Sequence, residues 1–191
     1  MNLDSAHGAD LGARMSGRLL GILFALAVLA AGVLVSGEES LRIVPITSGE
    51  EVLVSFELAD AYTDEVRSAI ASGLKTTFTY DVELRMVVPA WVDQTVATAI
   101  VTTSDQYDNL TRRHSLSRTI DGREETTGTE DEAVVRKWLT TLTRMPLCQT
   151  SKLDATRDYY VRIKARVRPR GASLLGWVSG VTGTAKFTFI P

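Results

Sequence analysis

Few side chains in this 191-residue chain have both the type and the spacing for chemistry. Ser72-Gly73-Leu74-Lys75 has the S-x-x-K form of a serine nucleophile with its lysine, a motif that needs the serine at a helix start so that the lysine lies one turn along the same face. Gly73 follows Ser72 at once and no K-T-G segment comes later, so the motif reads as a coincidence. His114 is the one histidine beyond the extreme N-terminus and Cys148 the one cysteine. This removes most zinc sites and most nucleophile-base pairs, and His114, between Arg113 and Ser115, reads as a solvated turn residue. Asp105 and Asp108 lack the glycine and closing glutamate of a calcium loop. No catalytic residue, metal ligand or cofactor site is expected.

The pattern most suggestive of binding is a row of cations. In residues 159–167 Tyr159, Val161, Ile163, Ala165 and Val167 alternate with Arg162, Lys164 and Arg166, and Arg168 continues the series. On a strand, same-face residues stand about 6.5–7 Å apart, so the four cations make a line that an acidic partner or lipid headgroups can follow. Asp81 and Glu83 sit on the polar face of another strand and offer internal cancellation by cross-strand pairing. A second candidate is the apolar set Leu174, Trp177, Val178 and Val181, at helical spacing within a glycine-rich stretch (residues 171–183). It reads either as packing across an open sheet end or as an exposed partner-facing patch or lid.

The elements that position these residues follow from periodicity. Residues 52–58 (VLVSFEL) predict a strand; residues 63–72 predict a helix with acids in its first turn and Gly73 as its stop. Residues 78–88 alternate strictly and predict a half-buried strand. Residues 95–104, 106–112 and 115–120 predict three more strands, joined at Arg113-His114 and closed by the Asp121-Gly122 turn. A capping box from Thr129 to Glu132 predicts a second helix, with Val135, Trp138, Leu142 and Met145 as its apolar stripe and Pro146 as its end. Residues 159–167 and 185–190 predict the last strands. The expectation is an α+β fold: one domain dominated by an antiparallel β-sheet, with two helices.

Ahead of this domain lies residues 19–35, LLGILFALAVLAAGVLV, 17 residues without a charge. At about 1.5 Å per residue such a helix spans about 26 Å, slightly less than the ~30 Å hydrocarbon core. It is either a retained anchor or a cleaved signal, and its length beyond the usual signal core favours the anchor. Arg14 and Arg18 before it and Glu38 and Glu39 after it place the N-terminus in the cytoplasm and the domain outside. The expected layout is a cytoplasmic tail at 1–18, a transmembrane or signal segment at 19–36, a linker at 37–50 and an extracytoplasmic domain at 51–191. With 23 acidic and 21 basic residues the net charge is −2, which offers no footprint for nucleic acid.

The order of these features resembles a known family. F-E-L-x-D-A at residues 56–61 is followed by V-x-x-A-I-x-S-G at 66–73, an alternating strand ending near Trp91-Val92-Asp93, an acid-headed helix and the Tyr159 strand. This resembles the bacterial domain of unknown function 4390 over residues 50–190. The resemblance implies a membrane-anchored extracytoplasmic protein, and through a frequent gene neighbour, a membrane sensor histidine kinase, a signalling or envelope partner. It brings no catalytic residues. The C-terminal stretch is richer in glycine than the family pattern. The expected function is therefore a non-enzymatic accessory domain that binds an envelope or signalling protein, or alternatively a lipid or apolar ligand.

Overall fold

The computed structural model describes residues 40–169 and 180–190. Nine strands and two α-helices follow in the order β1 (Leu41–Ser48), β2 (Glu51–Leu58), α1 (Asp64–Ala71), β3 (Thr76–Met86), β4 (Gln94–Asp108), β5 (Arg113–Ile120), β6 (Arg123–Thr129), α2 (Glu132–Thr140), β7 (Thr141–Gln149), β8 (Asp158–Pro169) and β9 (Gly180–Thr188). They build a three-stranded sheet, β1-β2-β7, and a six-stranded sheet, β6-β5-β4-β3-β8-β9. Every strand pairing is antiparallel. The expected strand-dominated antiparallel fold with two helices is the fold observed, now resolved into two sheets that share one core.

Alternation sets the core. Phe78, Tyr80, Val82 and Leu84 of β3 and Val161, Ile163 and Ala165 of β8 are buried, and Val52, Val54 and Phe56 of β2 meet them from the other sheet. The Phe56 and Tyr80 rings lie 4.7 Å apart across this contact, within the range of favourable tilted aromatic pairs. Both helices carry the chain between sheets: α1 from β2 to β3, α2 from β6 to β7. Thr63 caps α1 by accepting the Val66 N–H, and Gly73 in the left-handed region (φ 82°) ends it, with Leu74 N–H reaching the Ala69 carbonyl in a Schellman turn.

Several expectations are corrected. Residues 41–48, read as linker, form β1, which pairs with β2 along its whole length. Pro45 is tolerated because β1 is an edge strand with a side that needs no donor. Residues 95–104 and 106–112 are one strand, β4, which runs through to Asp108, and β6 is a further strand of almost wholly exposed residues. The second helix is capped by Asp131, not Thr129, through the Ala133 N–H, and it ends at Thr140. Leu142 and Met145 are buried from β7 instead. Val181 stands in β9 opposite Ala165, not on a helix. Leu174, Trp177 and Val178 lie outside the described residues, as do residues 1–39. Among the described residues no helix is long and apolar enough to cross a membrane.

Two contacts hold the sheets together. The C-terminal carbonyls of α2, which no helical N–H can reach, are taken by side chains of the six-stranded sheet. Tyr80 Oη donates to Leu139 O at 2.6 Å, Thr103 Oγ1 donates to the same oxygen at 3.1 Å, and Arg118 donates to Trp138 O and Thr141 O at 3.0 and 3.3 Å. The Arg118 guanidinium also lies 4.1 Å over the Trp138 ring. At the other side β1 packs against β9, where a Cβ on buried Gly183 would stand 3.1 Å from Leu41 Cδ2 and 3.3 Å from Ile43 Cδ1. Replacing Arg118 with Met strands two carbonyls and is expected to lower stability by about 2–4 kcal/mol; a urea titration followed by Trp138 fluorescence measures it. Gly183→Val overpacks the β1–β9 seam and is expected to cost about 1–3 kcal/mol, read as a lower urea midpoint at unchanged slope.

Candidate functional site

The outward face of β8 is set by the same alternation that buries its other face. Tyr160, Arg162, Lys164, Arg166 and Arg168 project from it, in register with Arg85, Glu83, Asp81, Thr79 and Thr77 of β3. Two of the four expected cations find carboxylates. Arg162 Nη2 donates to Glu83 Oε2 at 2.5 Å, and Arg166 Nη2 donates to Asp81 Oδ2. Arg85 adds a second contact to Glu83 at 3.2 Å. Burial opposes the charge on Glu83, but the hydrogen bonds from Arg162 and Arg85, with the nearby Arg162 and Lys164 charges, outweigh it and hold the carboxyl below its ordinary value. Lys164 and Arg168, both exposed, have no carboxylate within ion-pair distance among the described residues. Two cations of the row are thus ion-paired; Lys164 and Arg168, on either side of the Arg166–Asp81 pair, are not, though Lys164 stands opposite Asp81 and its charge acts on Glu83.

One end of this face is braced by Asp93. Its side chain accepts from Tyr160 Oη at 2.8 Å and from Val88 N–H at 3.3 Å, and its carbonyl accepts from Arg85 Nη2 at 2.6 Å. The Tyr160 bond first, then the Val88 amide, keep the Asp93 carboxyl low. A cavity of about 760 Å³ opens at the same end, between β3, β8 and β9, with Val87, Tyr159, Phe187 and Lys186 among its walls. None of its lining residues lies on α1 or α2.

A second polar site was not legible in the sequence. His114 is not a solvated turn residue: it sits on β5 opposite Tyr107, its ring tilted 42° against that ring with centroids 4.6 Å apart, and its Nδ1 lies 2.8 Å from Asp105 Oδ2. Asp105 is fully buried, and its Oδ1 has no hydrogen-bond partner among the described residues. Burial raises the Asp105 carboxyl despite the His114 bond. Tyr62 stands nearby, its hydroxyl pushed up to about 12 by burial, then by Glu132 and Asp105. Glu132 in turn binds Arg67 at 2.7 Å, which ties α2 to α1. An aspartate-bound imidazole is the orienting half of a base-catalysed site, yet the cavity above is not lined by either residue, and among the described residues no serine, threonine or cysteine side chain bonds His114.

The remaining motifs take structural places. Ser72 is the C-cap of α1, with its hydroxyl donating to Ala69 O at 2.7 Å, so the S-x-x-K spacing falls across a helix end. Asp108 caps the β4–β5 turn through Leu110 N–H and Thr111. Cys148 on β7 is half-buried, and burial pushes its thiol up. Among the described residues no three His, Cys, Asp or Glu side chains gather to hold a metal.

A family model described as Domain of unknown function (DUF4390) matches residues 39–173. The chain belongs to this family. No curated protein and no solved structure matches it. The DUF4390 match takes in β1 through β8, and so includes the strand read as linker, both helices and the whole basic row. It stops short of β9, the edge strand that carries Lys186 and Phe187.

The pairing on β8 has a measurable acid limb. A carboxyl held below its ordinary value, 4.5 for Glu83, adds stability that is complete above that pH and lost as pH falls through the lower value of the folded protein. Glu83→Gln is expected to cost about 1 kcal/mol at pH 7 and to flatten the fall in Tm between pH 5 and pH 3. Calorimetry of both proteins across that range measures it.

Proposed function

We propose that this chain is a membrane-anchored, extracytoplasmic, non-catalytic domain that binds an envelope or signalling protein presenting an acidic surface. The observation that carries the reading is the outer face of β8, where Lys164 and Arg168 stand exposed and outside any ion pair among the described residues, on a frame that Arg162–Glu83 and Arg166–Asp81 hold in place. Fixed charges on a rigid strand require little ordering on association, and they set partner choice and encounter rate. The uncharged span at 19–35 and the charge bias around it support the anchor and its orientation. The second reading, binding of a lipid or apolar ligand, is favoured by the aromatic-walled cavity between β3, β8 and β9.

The test is a mild-detergent purification of the full chain from its native membrane, with mass spectrometry of proteins and lipids, followed by titration of the purified partner. Lys164→Gln with Arg168→Gln removes both cations without setting a new carboxylate opposite Asp81, and is expected to weaken the complex by about tenfold or more. An unchanged affinity removes the β8 face from the interface, and a stoichiometric lipid without a protein partner moves the function to the cavity.

A further inference from the structure

Each sheet has two edge strands, and a strand edge offers unpaired main-chain groups to any extended chain. Among the described residues three of these four edges are blocked. β1 carries Pro45 and packs against β9, where Gly183 stands by Leu41 and Ile43. β7 carries Pro146 and is bulged around Arg144. β6 has neither a proline nor a register shift against β5, and Arg123 to Gly128 are exposed without a break. Its guards are the charges of Arg123, Glu124 and Glu125; Thr126 to Thr129 carry none.

The turn between β5 and β6 decides which groups of that edge are free. Asp121 and Gly122 take φ 46° and 83° between paired Ile120 and Arg123, a two-residue hairpin of the type I′ kind whose flanking residues bond each other. Alternation then turns the N–H and C=O of Arg123, Glu125, Thr127 and Thr129 toward β5, and those of Glu124, Thr126 and Gly128 outward. Gly128 is the second observation. Its φ lies outside the left-handed region, and a Cβ there would meet only His114 O at 3.6 Å and Arg113 Nη2 at 3.9 Å. The fold of one chain therefore does not require this glycine, while glycine inside a strand weakens it and marks close approach from outside. Beside Gly128 runs a trough of about 460 Å³, with Ser115, Ser117, Gln106 and Lys75 among its walls.

We propose that β6 pairs antiparallel with β6 of a second copy of this chain, about a two-fold axis through Thr126. The outward groups match under that axis: Glu124 faces Gly128 of the second copy and Thr126 faces its own counterpart, so each pair exchanges main-chain bonds. Charge selects the register. Arg123 then faces Thr129 and Glu125 faces Thr127, so no like charges are directly opposed. A slide of two residues one way sets Glu125 against Glu125, and the other way Glu124 against Glu130; directly opposed carboxylates destabilise a sheet. A slide of one residue is excluded because facing residues would then point to opposite sides. The side chains fit as well. Glu124 and Lys75 have no ion pair among the described residues. In the pairing Glu124 lies over the bare Gly128 of the second copy, toward the Ser115 hydroxyl and Gln106 amide of the trough, with Lys75 beyond. The contact is separate from the basic row, which stands on β8 across β5, β4 and β3. A seven-residue edge buries little area, and copies held in one membrane meet at a raised effective concentration; in that respect the pairing rests on the anchor of the proposed function.

The experiment introduces Thr126→Cys or Arg123→Cys into the full-length chain carrying Cys148→Ser and treats native membranes with a short bismaleimide. Position 126 stands opposite its own counterpart, whereas position 123 stands six residues from its own, about 20 Å at the rise of a strand. The expected result is a cross-linked dimer at 126 severalfold above that at 123. Adding Gly128→Val to Thr126→Cys fills the space that Glu124 of the second copy needs, and is expected to lower the yield severalfold at an unchanged urea midpoint. Equal yields at the two positions, or none at either, overturn the pairing. A yield at 126 that survives Gly128→Val in the folded protein overturns it too; if that variant does not fold, the two positions decide alone. Carbonate extraction of the same membranes tests the anchor separately: release of the chain overturns the anchor, while the contrast between 126 and 123 still decides the pairing.

Discussion

The structure depends on how the end of α2 is captured. A helix of nine residues leaves its last carbonyls unbonded, and here no loop separates it from β7, so those carbonyls are buried between two sheets. Tyr80, Thr103 and Arg118 come from three adjacent strands of the six-stranded sheet and take them. Trp138 returns a bond, its indole N–H donating to Ser117 O at 3.2 Å. The helix end is thus bonded from β3, β4 and β5 while the next residue already belongs to the other sheet. This fixes the register of β7, and through β7 that of β2 and β1.

That constraint separates the two faces of the six-stranded sheet. Its inner face is committed to the shared core and to the helix end, and α1 and α2 lie on that side, where His114 and half-buried Tyr62 stand by the buried Asp105 while Glu132 remains exposed. Among the described residues no helix packs on its outer face. A buried carboxylate must be bonded or carry a penalty, which is why Asp105 keeps His114 and still titrates high. A carboxylate on the outer face, like Glu83, meets arginines and titrates low. Burial raises both groups; the arginines Arg162 and Arg85 outweigh it at Glu83, and the single His114 side chain does not at Asp105.

Legibility followed periodicity. The strands β3 and β8 alternate without interruption, and their cores and outward rows could be read directly. Strand β7 could not, because Leu142 and Met145 are three apart and imitate a helix. One register shift against β2 explains them: Val54 pairs with Met145 and Phe56 with Leu142, while Arg144 takes φ 53° and donates its N–H to Ser55 Oγ at 2.9 Å. A bulge adds a residue and returns both side chains to the core, so the three-residue spacing arises from strand geometry. The nearly all-exposed β6 carries no apolar pattern to read, and β1 was hidden by Pro45, which only an edge position makes acceptable.

The sites divide in the same way. The basic row was legible because a strand of known face fixes where every second side chain points, and its acidic counterparts were legible because β3 obeys the same rule. How many of the four cations would be neutralised depended on which strands are neighbours, and the register sets Glu83 against Arg162 while Asp81 reaches diagonally to Arg166 rather than to Lys164 directly opposite. Asp105 and His114 were hidden for a related reason. They are nine residues apart on one hairpin, diagonal neighbours because His114 pairs with Tyr107 and Leu116 with Asp105. A reading that ends a strand at residue 104 and starts another at 106 places them on separate elements. Once β4 is one strand of fifteen residues, the two side chains fall on the same face, and the pair follows from antiparallel geometry alone.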